Sequence, residues 1–136
     1  MIQTARLSAP LIEGGQIDKA TTHNEALAIF DLAVCAAVDG FLANSPPASP
    51  SVGASYIVGA SPIGSWAGQA RALAGYTAGG WRFVAPVDGL VALVKASGQF
   101  AVYRGGSWEL GELRGARLSV AGDQVVGPRL AAVADP

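Results

Sequence analysis

One histidine, His23, and one cysteine, Cys35, are the only imidazole and thiol in the chain. A zinc site wants several Cys or His ligands at close spacing, so neither can build one, and a single Cys excludes an internal disulfide. A serine triad would have to recruit His23, and no Ser sits in a nucleophile-elbow pattern. His23 falls beside an expected helix start and reads as a first-turn residue. Cys35 falls inside the expected helix and reads as a small buried residue. Paired carboxylates are the next resource, because glycoside hydrolysis needs two of them a few ångströms apart. Asp88, Glu109 and Glu112 lie near aromatics. Yet Asp88 is the turn residue of Val-Asp-Gly, and the two glutamates alternate with apolar neighbours as solvent-facing side chains do. The glycine pairs lack the Lys-Ser that completes a phosphate loop. No catalytic residue, metal ligand or cofactor is expected, and the chain reads as non-enzymatic.

The aromatic residues are the remaining candidates for binding. Trp66, Tyr76, Trp81, Tyr103 and Trp108 can form a platform on which sugar rings stack, or they can fill the core of a small sheet. Tyr76-Thr-Ala-Gly-Gly-Trp81 and Tyr103-Arg-Gly-Gly-Ser-Trp108 repeat one pattern, with Gly64-Ser-Trp66 as a weaker echo. In a four-residue hairpin loop each Tyr and Trp become a cross-strand pair. Trp66, Tyr76 and Trp108 are expected at hairpin ends, where a side chain is exposed, with Tyr103 beside Trp108. These four are the candidate glycan contacts. Trp81 shares a strand face with Phe83 and is expected to point inward.

The elements that position these residues are read as follows. Met1 to Ala20, with Pro10 and Gly14-Gly15, shows no helical or strand period and is expected as an extended arm on a neighbouring subunit or virion partner. Thr22 and Glu25 match a capping box, and a helix is expected from there to about Val38, with Gly40 as its left-handed C-terminal residue. Projected at about 100° per residue, Asn24, Glu25, Asp31, Cys35 and Asp39 share one side, and apolar residues cover roughly two thirds of the circumference. A surface helix needs only a stripe. Leu27, Ile29, Phe30, Ala33, Val34 and Ala37 are therefore the candidate oligomer or anchoring surface; the alternative is a central helix wrapped by its own chain. Residues 43–51 form a proline-rich linker. Short strands follow at Ser55–Gly59, Leu73–Thr77, Trp81–Ala85, Leu90–Lys95, Gln99–Arg104, Arg117–Val120 and Gln124–Val126, with turns at Asp88-Gly89, Ser97-Gly98 and Gly122-Asp123. The fold class is α+β: an arm and one apolar helix (1–42), the linker (43–51), then a small antiparallel β domain of consecutive hairpins (52–136).

Composition bounds the function further. The 136 residues suit one domain, and only 14% of them are charged, where about 25% is usual. The mean hydropathy is +0.37. A small domain this poor in charge reads as one whose surface is partly covered by another chain. With a net charge of −1, no basic patch for nucleic acid is expected. The longest uncharged stretch, Phe41 to Ala70, is rich in Pro, Gly and Ser and cannot be a spanning helix, so no membrane insertion is expected. No charged start precedes an apolar run, so no signal peptide is expected.

The strings Thr4-Ala-Arg-Leu7, Gly15-Gln16, Lys19 and Thr22-His-Asn-Glu-Ala-Leu27 open a wider pattern. Pro46-Pro47, Tyr56-Ile-Val-Gly59, Gly64-Ser-Trp-Ala-Gly68, Gly80-Trp-Arg-Phe-Val-Ala-Pro86, Val126-Gly-Pro-Arg129 and Ala134-Asp-Pro136 continue it. Together they resemble an uncharacterised family of alphaproteobacterial phages and prophages that includes proteins of gene transfer agents. The resemblance spans essentially the whole chain and supplies no catalytic residue and no cofactor. It implies a virion protein of a spike, fibre or tail-tip context, placed in a virion or phage-like particle assembled in the bacterial cytoplasm. Family members often continue into a further helix-like segment, so a truncated member, or one completed by a partner, is expected. The functional expectation is a structural adaptor that oligomerises, as a trimer ahead of a pentamer, contacts other virion proteins and contributes to attachment. The alternative is a carbohydrate-binding module for host surface polysaccharide.

Overall fold

Asp18, and not Thr22, starts the helix: its Oδ1 accepts the Thr21 amide at 3.0 Å in the computed structural model, which describes residues 1–127. Helix α1 runs Lys19–Ala33. Thr22 lies inside it, buried, with its hydroxyl bonded to the Gln16 side chain and the Asp18 carbonyl. Glu25 does not reach back to a cap amide but turns to Arg82. A carboxylate four residues upstream of Thr22 displaces the expected capping box because an anionic acceptor binds amide donors better than a hydroxyl does. The helix is also less apolar than expected. Its first half, Lys19–Glu25, is largely polar, and apolar surface is confined to Ala26–Ala33.

Its end is corrected too. Val34 is already extended and Cys35 takes the left-handed conformation at φ 54°, exposed rather than buried. Ala37, expected on the helix surface, lies instead in strand β1 (Ala37–Val38), which pairs in parallel with β6 (Val91–Val94). Gly40 is not a helix cap. It opens β2 (Gly40–Ala43), parallel to β3 (Ser55–Val58), where a Cβ would stand 2.8 Å from the Tyr56 ring. The β-branched Val34 and Val38 give up little in leaving a helix, and two waiting sheet edges outweigh the helical period.

The remaining strands are β4 (Leu73–Thr77), β5 (Gly80–Val84), β7 (Gln99–Arg104), β8 (Ser107–Leu110), β9 (Leu118–Val120) and β10 (Asp123–Val126). They form two four-stranded sheets in the orders β2-β3-β4-β5 and β1-β6-β7-β8, and a separate β9–β10 hairpin. Each large sheet is an antiparallel three-stranded meander with one parallel strand on its edge. The β-rich, mostly antiparallel domain with an N-terminal helix is therefore present; the two parallel pairs and β8 were not anticipated. Both Tyr–Trp hairpins form, with Tyr76 opposite Trp81 and Tyr103 opposite Trp108. Their loops are two residues, because Thr77 pairs with Gly80 and Arg104 with Ser107. Gly64–Trp66 is a turn of 3-10 helix rather than a third hairpin.

Ile57, Leu73 and Val84 from one sheet and Ala92, Val94, Ala101 and Trp108 from the other meet in the main core, joined by Ile29 of α1. The arm does not reach away. Gln3 bridges Pro10, Ala9 is fully buried in this core, Leu7 packs on it, and Arg6 Nη2 donates to the Asp88 carbonyl at 2.8 Å. The strings Val126–Arg129 and Ala134–Pro136, and the expected β domain past residue 127, reach outside the described residues.

Candidate functional site

Period-two alternation sends Tyr56, Val58, Ala74, Tyr76, Trp81 and Phe83 to the face of the β2–β5 sheet that turns away from the main core. Tyr56, Ala74 and Phe83 form one row across β3, β4 and β5; Tyr76 and Trp81 are a facing pair. The small side chain of Ala74 at the centre leaves room for rings to spread over it. The loop after β3 returns across the sheet, with Val58 donating to the Ala72 carbonyl and Arg71 to that of Gly59. It delivers Trp66, which is fully buried against Val58 and Ala74.

Trp81 is the hub of this cluster. Its ring meets Trp66 edge-on at 5.2 Å, Tyr76 at 5.1 Å and Tyr56 at 5.8 Å, and it stacks on Phe83 at 6.5 Å with 24° between planes. Tyr56, Tyr76, Trp81 and Phe83 are all half-exposed. Edge-to-face packing on the buried Trp66 holds Trp81 in place, and Trp81 in turn packs on the other rings, because such pairs add to area burial.

Two of the expected glycan contacts are misplaced by this geometry. Trp66 is 0% exposed and Trp108 is 8% exposed, so neither is an open hairpin-end side chain. Trp108 and Tyr103 pair at 5.4 Å inside the main core, and the Trp108 Nε1 donates to the Arg71 carbonyl at 2.8 Å. Only Tyr76 of the four sits on the half-open aromatic face. Trp81, expected inward, is half-exposed there, and Tyr56 and Phe83 were missed. The signal was present: Trp81 and Phe83 share a strand face with Tyr76 across the hairpin, but which face the core would take was not decided locally.

Tyr56 also borders a hollow of about 380 Å³ lined by Asp39, Ser49, Ser51 and Lys95. Asp39 stands at the crossing where the chain leaves β1 for β2. Its Oδ1 accepts from Lys95 Nζ at 2.8 Å and its Oδ2 from the Ser55 amide at 3.1 Å, so one carboxylate ties the two sheets. The hydrogen bond from Lys95, aided by the Ser55 amide, holds the Asp39 carboxyl below the usual carboxylate range against a smaller effect of burial.

The second candidate surface is aliphatic. Leu27, Phe30 and Val34 at i, i+3 and i+7 are exposed, while Ile29 is buried and Ala33 is packed against the core. Beside Val34 a groove of about 520 Å³ continues between Ala33, Cys35 and Ala36 on one side and Leu93 and Phe100 on the other. The carboxylates weighed for chemistry are engaged elsewhere: Glu109 with Arg104 and Arg114, Glu112 with Arg114, and Asp88 with the Gly105 amide. Among the described residues no His, Cys, Asp or Glu group of three or more is placed to hold a metal, and no helix is long and apolar enough to cross a membrane.

The model of a family described as proteins of unknown function, DUF2793, matches residues 23–109. That span runs from α1 through both four-stranded sheets to β8 and leaves out the arm and the β9–β10 hairpin. No curated protein matches the chain. With well over half of its length matched, this chain belongs to the DUF2793 family.

Proposed function

We propose that this domain is a non-enzymatic structural adaptor that self-associates through the end of α1 and the adjoining outer face of the β1-β6-β7-β8 sheet, as one component of a phage-like particle. The observation that carries the reading is exposed apolar surface: Leu27, Phe30 and Val34 are 52%, 42% and 62% exposed, and the groove that starts at Ala33 and Cys35 ends at Phe100, 58% exposed. Exposed apolar surface of that kind supports a site for another protein. The low charged fraction, 14% of the residues, supports the same reading. The β9–β10 hairpin points the same way. All its residues are exposed, and a lone two-stranded hairpin is at best marginally stable in water.

The phage-particle setting rests on the sequence resemblance described above. A spike, fibre or tail-tip protein is built from closed cyclic assemblies. A trimer suits a fibre and is favoured over a pentamer, which suits a capsid vertex. Other virion proteins are the proposed partners, and the assembly site is the bacterial cytoplasm. The test is the mass in solution by light scattering. A closed oligomer at micromolar concentration is expected, and Leu27→Ser with Phe30→Ser and Val34→Ser is expected to return a folded monomer. A wild-type monomer, or a triple variant that stays assembled, overturns the reading.

A further inference from the structure

The geometry points to a saccharide site on the opposite side of the molecule, and we propose that Tyr76, Trp81, Phe83 and Tyr56, with the hollow of Asp39, Ser51 and Lys95, bind a neutral glycan of two or more rings. The inference does not rest on the assembly reading, because it shares no residue with the aliphatic surface of α1 and Phe100.

Three features of the face select the ligand chemistry. The first is shape. Trp81 and Phe83 are two positions apart on one strand face and both are partly exposed, so together they present aromatic surface on the outside of the sheet. Pyranose rings carry an apolar C–H face that stacks on such rings, because the negative face of an aromatic π-system attracts polarised C–H groups. The second is rigidity. Trp66 lies buried under Trp81 at 83° to it, and Tyr56 lies over Gly40, where no side chain competes for the space. A platform fixed before binding loses little side-chain freedom on binding. Trp66 is accordingly a positioning residue and not a contact.

The third is the polar rim. Tyr56 is shared between the ring cluster and the hollow, so a chain stacked on Trp81 and Phe83 reaches hydrogen-bonding groups at its next ring. Ser49 and Ser51 offer hydroxyls that both donate and accept. The Lys95 ammonium has three donors, one of which is directed at Asp39, and the Asp39 carboxylate keeps lone pairs beyond those used by Lys95 and Ser55. The two charges in the hollow neutralise each other, and Phe41 to Ala70, which frames the face, has no charged residue. That balance favours an uncharged polyol over an acidic polysaccharide, a nucleic acid or a charged peptide. A protein partner, by contrast, is better matched by the aliphatic surface around Phe30.

The three Trp indole N–H groups give the test its internal control. The full chain, labelled with nitrogen-15, is titrated with three neutral hexasaccharides: β-1,4-linked glucose, β-1,4-linked N-acetylglucosamine and α-linked mannose. At least one is expected to shift the Trp81 indole signal saturably while the Trp108 signal, buried in the main core, stays in place. Phe83→Ala is expected to weaken that affinity at least tenfold. Ser49→Ala with Ser51→Ala, both exposed, is expected to weaken it several-fold without touching the rings. An unmoved Trp108 signal shows that each variant is folded. The proposal is overturned if none of the three sugars moves Trp81 at millimolar concentration, or if both variants bind as the wild type does. It is equally overturned if Trp81 broadens with protein concentration alone, which makes the face a protein contact.

Discussion

Tyr76 and Tyr103 stand in equivalent places in two hairpins, each opposite a Trp, yet they serve different surroundings. The Tyr76–Trp81 pair is half-open on an outer sheet face, whereas Trp108 is buried between the sheets with Tyr103 packed, partly buried, against that core. Removing Trp108 takes a large ring out of the main core and leaves the Arg71 carbonyl without its donor. Trp108→Ala is expected to cost about 3–5 kcal/mol in urea unfolding. Trp81→Ala, removing a half-exposed ring, is expected to cost less than half as much. Equal losses would mean that the outer ring cluster is as closed as the core. The Tyr-x4-Trp spacing was legible as a cross-strand pair because it is a local property of a hairpin. The exposure of Trp66 was not, since it is set by a returning loop whose contacts lie across the sheet.

Helix α1 is held to the sheet by Ile29, Leu32 and Ala33 packed on the main core, by one close approach and by one ion pair. A Cβ on Gly75 would stand 2.8 Å from Leu32, so the helix lies directly on β4. Beside that contact Arg82 clasps Glu25 with two hydrogen bonds, Nε to Oε2 at 2.6 Å and Nη2 to Oε1 at 2.7 Å. These bonds, more than the long-range charge attraction, hold the Glu25 carboxyl below its ordinary value against the opposing effect of burial. A lowered carboxyl pKa in the folded state stabilises fully above the unfolded value, about 4.3, and the gain is lost as pH falls through the folded value. The melting temperature is therefore expected to fall as pH drops below about 4, and Glu25→Gln should flatten part of that fall. Because both side chains remain partly exposed, solvent screening limits the loss near pH 7 to about 0.5–1 kcal/mol. An unchanged acid transition in Glu25→Gln removes the pair from the account. The start of this helix was misread for a related reason. Glu25 looked like a capping-box partner until Arg82, fifty-seven positions away, offered a better one.

At the scale of the molecule, Ala37–Ala43 is the segment that joins the parts. It gives one edge strand to each four-stranded sheet and places Asp39 at the seam, bonded to Lys95 in the β6–β7 turn of one sheet and to Ser55 at the start of β3 in the other. The arm closes the same core from outside. Deleting Met1 to Pro10 removes the buried Ala9 and the packed Leu7, and is expected to lower stability by on the order of 2–4 kcal/mol. A truncated chain that unfolds at the wild-type urea midpoint shows that the arm is dispensable to the fold. By itself the sequence determined what local rules govern. Turn residues and period-two alternation located seven of the strands, the Tyr–Trp spacing set two cross-strand pairs, and the apolar run Ala26–Phe30 marked the helix body. Tertiary structure decided the rest: where α1 ends, which strands are parallel, and which face of the β2–β5 sheet is left half-open. The physical reason is that a strand alternates two faces with equal ease, and an apolar stretch such as Val34–Val38 suits helix or strand alike. Only contacts between residues far apart in the chain choose between those alternatives.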